Sequence, residues 1–191
     1  RLNYLIDASR FDTDGYRDHS AARRDHLNAK LKYDAGSRGT VTLVLNALDQ
    51  PDTQDPLGLT AAQVAQNPRQ PGTNALAFNT RKSVAQNQAG LVYDLALSSR
   101  DKLQARIYLG TRGVTQYLSI PVPTNPTTLR KYSGGVVDLD RGYGGAGLRW
   151  TRSINLAATP FTFSAGIDYD RMAERRKGFD NSSGVTGTLR R

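Results

Sequence analysis

The sequence contains no cysteine, one methionine and one tryptophan in 191 residues. Without cysteine, a disulfide scaffold and a thiolate-held metal are both excluded. It also lacks any run near the roughly 20 consecutive apolar residues that a transmembrane helix needs, and its mean hydropathy is −0.54. A helical membrane protein is thereby excluded. A β-barrel is not, because barrel strands are short and only half apolar. No charged n-region with an apolar h-region opens the chain. The start at Arg1, without an initiator methionine, reads as a mature or excised segment. No G-x-S-x-G elbow occurs, and His19 beside Ser20 is adjacency in sequence, not a catalytic geometry. Neither an enzyme nor a cofactor is expected.

Acidic side chains are outnumbered, 17 against 26 Lys and Arg, for a net charge of +9. The basic residues are dispersed: Arg10, Arg17, Arg23, Arg24, Lys30, Lys32, Arg106, Arg112, Arg149 and Arg152. They form no basic helix and no RNA-binding signature, so nucleic acid is not an expected partner. Solvated charge in loops and on polar strand faces accounts for them. The same charge gives a field that attracts an anionic ligand or the phosphates of lipopolysaccharide.

The positive signal is alternation. From Lys102 to Arg112, Leu103, Ala105, Ile107 and Leu109 are separated by Gln104, Arg106 and Tyr108. This period of two belongs to a strand with one wet face; a helix would set Leu103 and Arg106 on one side. The same pattern recurs in Leu27–Asp34, Thr40–Asp49, Gly90–Ser98, Gly147–Ile154 and Phe161–Asp170, and more weakly in Leu2–Ser9. About seven strands are expected. Tyr4, Tyr33, Tyr93, Trp150, Phe161 and Tyr169 stand near strand ends on the apolar faces. Aromatic girdles at membrane interfaces place them there, as does ordinary β-propensity.

The connections sort by length. Asp34–Gly39, Ser98–Asp101 and Asn155–Pro160 are short. Those at about 11–25, 50–85, 113–141 and 174–191 are long. Strict alternation of short and long connections is the habit of an outer-membrane barrel, with periplasmic turns and long extracellular loops. On this reading Leu2–Ser9 runs outward and direction alternates thereafter. The expected fold is all-β, antiparallel and up-and-down, part of a transmembrane β-barrel spanning residues 1–191. A soluble β-sandwich binding module, or the wall of a porin or autotransporter, also accommodates the alternation.

Other motifs carry less. Gly142-Tyr-Gly-Gly-Ala-Gly147 matches a dinucleotide fingerprint in letters. The residues after it, Leu148 to Arg152, alternate like a strand, whereas the fingerprint requires a helix. The glycines are expected to bend the chain as it re-enters the sheet, or to keep one face open. His19 and His26 flank a loop, and Asp49, Asp52 and Asp55 lack EF-hand spacing, so no metal site is expected. Asn181-Ser-Ser183 is a formal glycosylation sequon. Gly58–Gln66 reads as a short helix capped by Thr60 and ended by Asn67-Pro68. Within the 113–141 loop, Tyr117, Arg130, Tyr132 and Arg141 are the ligand-binding candidates, because Arg grips chelate oxygens directionally and Tyr adds stacking surface.

Two blocks are more specific: Phe11-Asp-Thr-Asp-Gly-Tyr-Arg-Asp-His-Ser20, and Asp55-Pro-Leu-Gly-Leu-Thr60 running to Asn67-Pro-Arg-Gln70. They resemble the barrel region of TonB-dependent outer-membrane receptors of the ferric-siderophore and ferric-citrate types. The rest of the chain resembles that family only in strand rhythm. The resemblance implies location in the bacterial outer membrane and import of a ferric chelate. It also implies energisation by TonB–ExbB–ExbD through a plug domain that this chain lacks, and contact with outer-membrane lipid and lipopolysaccharide. A full receptor of this family has 22 strands, so this chain reads as a fragment of barrel wall. No individual ligand contact is carried over from the family.

Overall fold

The computed structural model describes residues 1–157 and 159–191. Eight strands form one sheet in sequence order, each antiparallel to the next. They are β1 (Leu2–Thr13), β2 (Ala22–Asp34), β3 (Thr40–Gln54), β4 (Arg81–Ala96), β5 (Asp101–Tyr117), β6 (Val136–Leu156), β7 (Thr159–Ser182) and β8 (Val185–Leu189). Among the described residues no second sheet covers the first, so the two-layer sandwich does not form. Of the connections expected to be short, Gly36–Arg38 forms a 3-10 turn that Gly39 closes with φ +93°. In Asn155–Pro160, Ala158 lies outside the described residues. Pro160 pairs Asn155 on one side and lies on the uncovered stretch of β7, where its missing N–H leaves no ladder bond unmade.

The register turns the alternation of single strands into rows across the sheet. One row runs Tyr4, Leu31, Leu43, Leu91, Ile107, Ala146, Tyr169. The row beside it on the same face runs Leu2, Tyr33, Val41, Tyr93, Ala105, Leu148, Ile167. Neither contains a polar side chain other than tyrosine. A row of the opposite face runs Asp7, Asn28, Asn46, Gln88, Gly110, Tyr143, Met172. Trp150 packs edge-on against Phe163, with centroids 5.9 Å apart, on the apolar face near the short-turn end.

This apolar belt slants against the hydrogen-bond register. On β1 it ends at Ala8, whose row reaches Ala173 on β7; on β7 it already ends at Tyr169, four residues lower. The slip is roughly 0.7 residue per strand. With about 3.3 Å per residue and about 4.8 Å between strands, this is a tilt of about 25°; barrel strands are tilted too. A flat belt of constant height therefore requires tilted strands, as in a barrel wall.

The sheet buries almost nothing. Tyr4 and Ile167 are each 73% exposed, and Ile6 and Leu109 exceed 60%. The buried apolar side chains are Ala75, Val84 and Val136, all at the long-connection end. There, α1 (Ala61–Gln66), α2 (Thr73–Ala77) and α3 (Pro126–Leu129) occupy the connections. Thr60 and Gln63 cap α1 reciprocally, which matches the short helix expected there.

Several boundaries differ from expectation, mostly by lengthening; the exception is β4, which ends at Ala96 and not Ser98. β5 continues past Arg112 to Tyr117, β6 begins at Val136 and not Gly147, and β7 continues past Asp170 to Ser182. The segment 174–191, expected as an open-ended loop, is the end of β7 and a hairpin to β8. Above the apolar belt apolar and polar side chains are mixed on both strand faces, so alternation disappears while backbone pairing continues. The glycines of 142–147 lie inside β6, paired on both sides, and do not form a bend. In β3 a bulge falls between Gln50 and Thr53, with Asp52 at φ 41°.

Candidate functional site

The polar face is bridged by side chains that skip a strand. Arg106 on β5 reaches Asp168 on β7 (3.0 Å) across Gly147 of β6. In the next row Tyr108 donates to Asp170 across Gly145. Tyr143 on β6 reaches back to Gln88 on β4 (3.0 Å) across Gly110. In each case the glycine lies between the partners in the same register row. A Cβ on any of the three would collide with the bridging groups. Two glycines of the 142–147 motif thus keep this face open. Gly142 and Gly144 lie on the other face.

The row above contains Gln86, Arg112, Arg141 and Glu174. Two arginines directly opposite on neighbouring strands repel. Glu174 neutralises one of them, accepting from Arg141 Nε at 2.9 Å. Arg112 donates only to the neutral Gln86 carbonyl, at 2.6 Å. A cleft of about 620 Å³ opens here, lined by Gln86, Tyr108, Arg112, Arg141, Tyr143 and Met172 among others. The phenols of Tyr108 and Tyr143 are already engaged by Asp170 and Gln88, so the donors it presents are guanidiniums; Arg112, Arg141 and Arg171 outnumber the one lining carboxylate, Asp170, a surplus suited to oxyanions. Arg112 carried no signal in sequence that set it apart from other polar positions; only the register places it against Arg141.

The four sequence candidates do not converge. Arg141 lines this cleft. Tyr117 ends β5 with its ring beneath the Arg81 guanidinium, 3.7 Å from centroid to Cζ, and its hydroxyl 2.9 Å from Thr186 Oγ1. Arg130 is exposed at the C-cap of α3. Tyr132 is half-buried and donates to the Ile120 carbonyl at 3.3 Å. Burial, followed by the negative charge of Asp180, pushes its phenol above the ordinary tyrosine value.

The two histidines are also apart. His19, at φ 59°, donates from Nε2 to the Thr80 carbonyl at 2.9 Å. His26 lies on the polar face against Asn28 and Asn46, at 3.3 and 2.9 Å. Among the described residues no cluster of His, Asp or Glu is placed to hold a metal ion. Asn181 of the sequon is 4% exposed and fully engaged, donating to the carbonyls of Phe78 (2.9 Å) and Leu118 (3.0 Å).

The two blocks that carried the resemblance are joined. Arg17 donates to the carbonyls of Pro56, Leu57 and Gln70, and the Arg69 guanidinium sits 5.3 Å above the Tyr16 ring. Asp18 N donates to Arg69 O at 2.9 Å.

An up-and-down antiparallel sheet of tilted strands, apolar on one face and polar on the other, is the fold of an arc of β-barrel wall. No protein-family model matches the chain. Among solved structures it is similar to the ferric citrate transporter FecA in its unliganded form. The match has a TM-score of 0.76 at 19% identity, over 98% of this chain and 26% of the transporter. The likeness is one of fold, and the chain spans about a quarter of that protein's length. No helix among the described residues is long and apolar enough to cross a membrane.

Proposed function

We propose that this chain is part of a TonB-dependent receptor in the bacterial outer membrane that imports ferric siderophore-type chelates. In this reading the segment supplies barrel wall, with the apolar rows against lipid and the long connections outside the cell. The observation that carries it is the pair of uninterrupted apolar rows on one face of a single tilted sheet. Such a face, exposed in water, would drive aggregation; against acyl chains it is matched. Two further features support the substrate. One neighbour in fold is a ferric citrate transporter, and the Arg112–Arg141 cleft offers surplus positive charge to a carboxylate-rich or catecholate-rich chelate.

Arg112, Arg141 and the exposed Arg130 are the proposed ligand contacts. Tyr117 and Tyr132 act as struts beside them, because their hydroxyls are already engaged. Energy would come from TonB–ExbB–ExbD through a plug outside this chain. The test is uptake of iron-55, supplied as ferric citrate and as a hydroxamate and a catecholate chelate, by iron-starved cells with and without the intact protein. Receptor-dependent uptake abolished by dissipating the proton gradient is the expected result. Ungated passage of small solutes into liposomes bearing the protein, with no chelate uptake, would instead identify a porin-type wall.

A further inference from the structure

The long-connection end is held by side chains that bind main-chain carbonyls of other connections. Arg17, between β1 and β2, donates to Leu57 O (2.6 Å), Pro56 O (3.1 Å) and Gln70 O (3.0 and 2.8 Å), all in the 55–80 connection. Asn181, at the end of β7, bridges two connections at once, through Phe78 O in 55–80 and Leu118 O in 118–135. It also accepts from Gly184 N at 2.8 Å, holding the β7–β8 turn. Arg81 adds a bond to Gly184 O at 3.2 Å. Around these ties lie the side chains that the molecule buries most fully: Ala75, Thr80 and Val136, none above 1% exposure. Such bonds hold a loop only where water cannot substitute for them. Asn181, 4% exposed, meets that condition, and the four bonds of Arg17 are half-buried.

The chain of contacts is continuous. Arg17 fixes 55–80 to 14–21. Asn181 fixes 55–80 to 118–135. No connection can lift away without breaking a tie to its neighbour. We infer that the connections 14–21, 55–80 and 118–135, with the β7–β8 turn, open and close as one cooperative unit, tied by Arg17 and Asn181. A ligand that touches one of them is then felt by all three, and this stretch of the rim works as a single plate and not as three flaps. The inference depends on loop geometry alone and is independent of what is transported.

Hydrogen exchange with mass spectrometry on the intact protein in detergent micelles tests it. Peptides from 14–21, 55–80 and 118–135 should share one opening rate. Arg17→Ala should speed exchange in all three by a common factor of roughly tenfold to a hundredfold, given the loss of several charge-assisted bonds. Asn181→Ala should do the same, and peptides from the middle of β3–β5 should be unaffected. Arg17→Lys keeps the charge but loses the fork, so a smaller common acceleration is expected; it also serves if the alanine variant does not fold. Acceleration by Arg17→Ala confined to 14–21 and 55–80, or a separate rate for 118–135 in the unaltered protein, would overturn the inference.

Discussion

Gly110 is buried beneath the ring of Tyr143, which crosses it to reach Gln88. A Cβ at this position would lie 2.5 Å from Tyr143 Oη and 2.7 Å from its Cε2, so Gly110→Ala must expel the ring. Two losses result: a hydrogen bond worth about 0.5–1.5 kcal/mol and the contact of a phenol with the sheet, about 1 kcal/mol. Against these stands the reduced entropy of the unfolded chain, about 0.4–1 kcal/mol in favour of alanine. The net expectation is a destabilisation of about 1–2 kcal/mol. Gly142, on the adjacent strand, is the control: a Cβ there meets nothing within 4 Å and its φ is not positive. Gly142→Ala keeps the entropy gain without the clash, so it should be neutral or stabilising by a few tenths of a kcal/mol. Urea unfolding of the intact protein from lipid vesicles, followed by the gel shift between folded and unfolded barrels, reads both. Adding Tyr143→Ala should remove the cost of Gly110→Ala, because the group it collides with is gone. Equal effects of Gly110→Ala and Gly142→Ala, or an undiminished cost in the double variant, would refute the reasoning about glycines beneath skip-strand bridges.

The same geometry sets other expectations. Leu91→Arg, in the centre of an all-apolar row, should cost about 2–4 kcal/mol of stability in bilayers, measured by the same vesicle assay, while Gln88→Arg on the opposite face should cost less than about 1 kcal/mol. Arg112→Gln and Arg141→Gln should each weaken ferric-chelate binding about tenfold by competition assay. The Arg141–Glu174 pair keeps side-chain exposures of 35% and 31%, so its loss should change stability by no more than about 1 kcal/mol. Because Tyr132 is pushed above the ordinary value of 10.0 by burial, the fold favours its neutral form. Its contribution is therefore full below pH 10 and is lost as pH rises through the higher folded value. Protease cutting within 118–135 should rise in that alkaline range, and Tyr132→Phe should abolish the rise.

Legibility in the sequence tracked the apolar belt closely and the strands only loosely. Leu103, Ala105, Ile107 and Leu109 alternate because one face of β5 is apolar and the other polar. Beyond them Thr111, Gly113 and Thr115 occupy the same face without an apolar requirement, and the strand runs on unannounced to Tyr117. β7 is the extreme case: from Arg171 to Lys177 both faces are charged, so backbone pairing alone defines the strand. Alternation thus gives the height of the belt, and the register then gives its tilt, which no single strand contains. The candidate site was less legible still. Arg112 and Arg141 are far apart in sequence and meet only through the β5–β6 register. Arg17 binds main-chain carbonyls, which any residue supplies, so its partners leave no trace in side-chain type. The two motif blocks marked the right segments without indicating that they touch.

The absence of cysteine makes the central claim directly measurable. Single cysteines introduced from Leu103 to Leu109 in the intact protein, spin-labelled in lipid vesicles, can be tested for collision with oxygen, which dissolves in acyl chains, and with a water-soluble nickel chelate. A lipid-facing belt predicts a strict period of two, with labels at Leu103, Ala105, Ile107 and Leu109 favouring oxygen and those at Gln104, Arg106 and Tyr108 favouring nickel. Loss of that alternation, or high nickel accessibility at Ala105 and Ile107, would contradict a membrane-facing apolar belt.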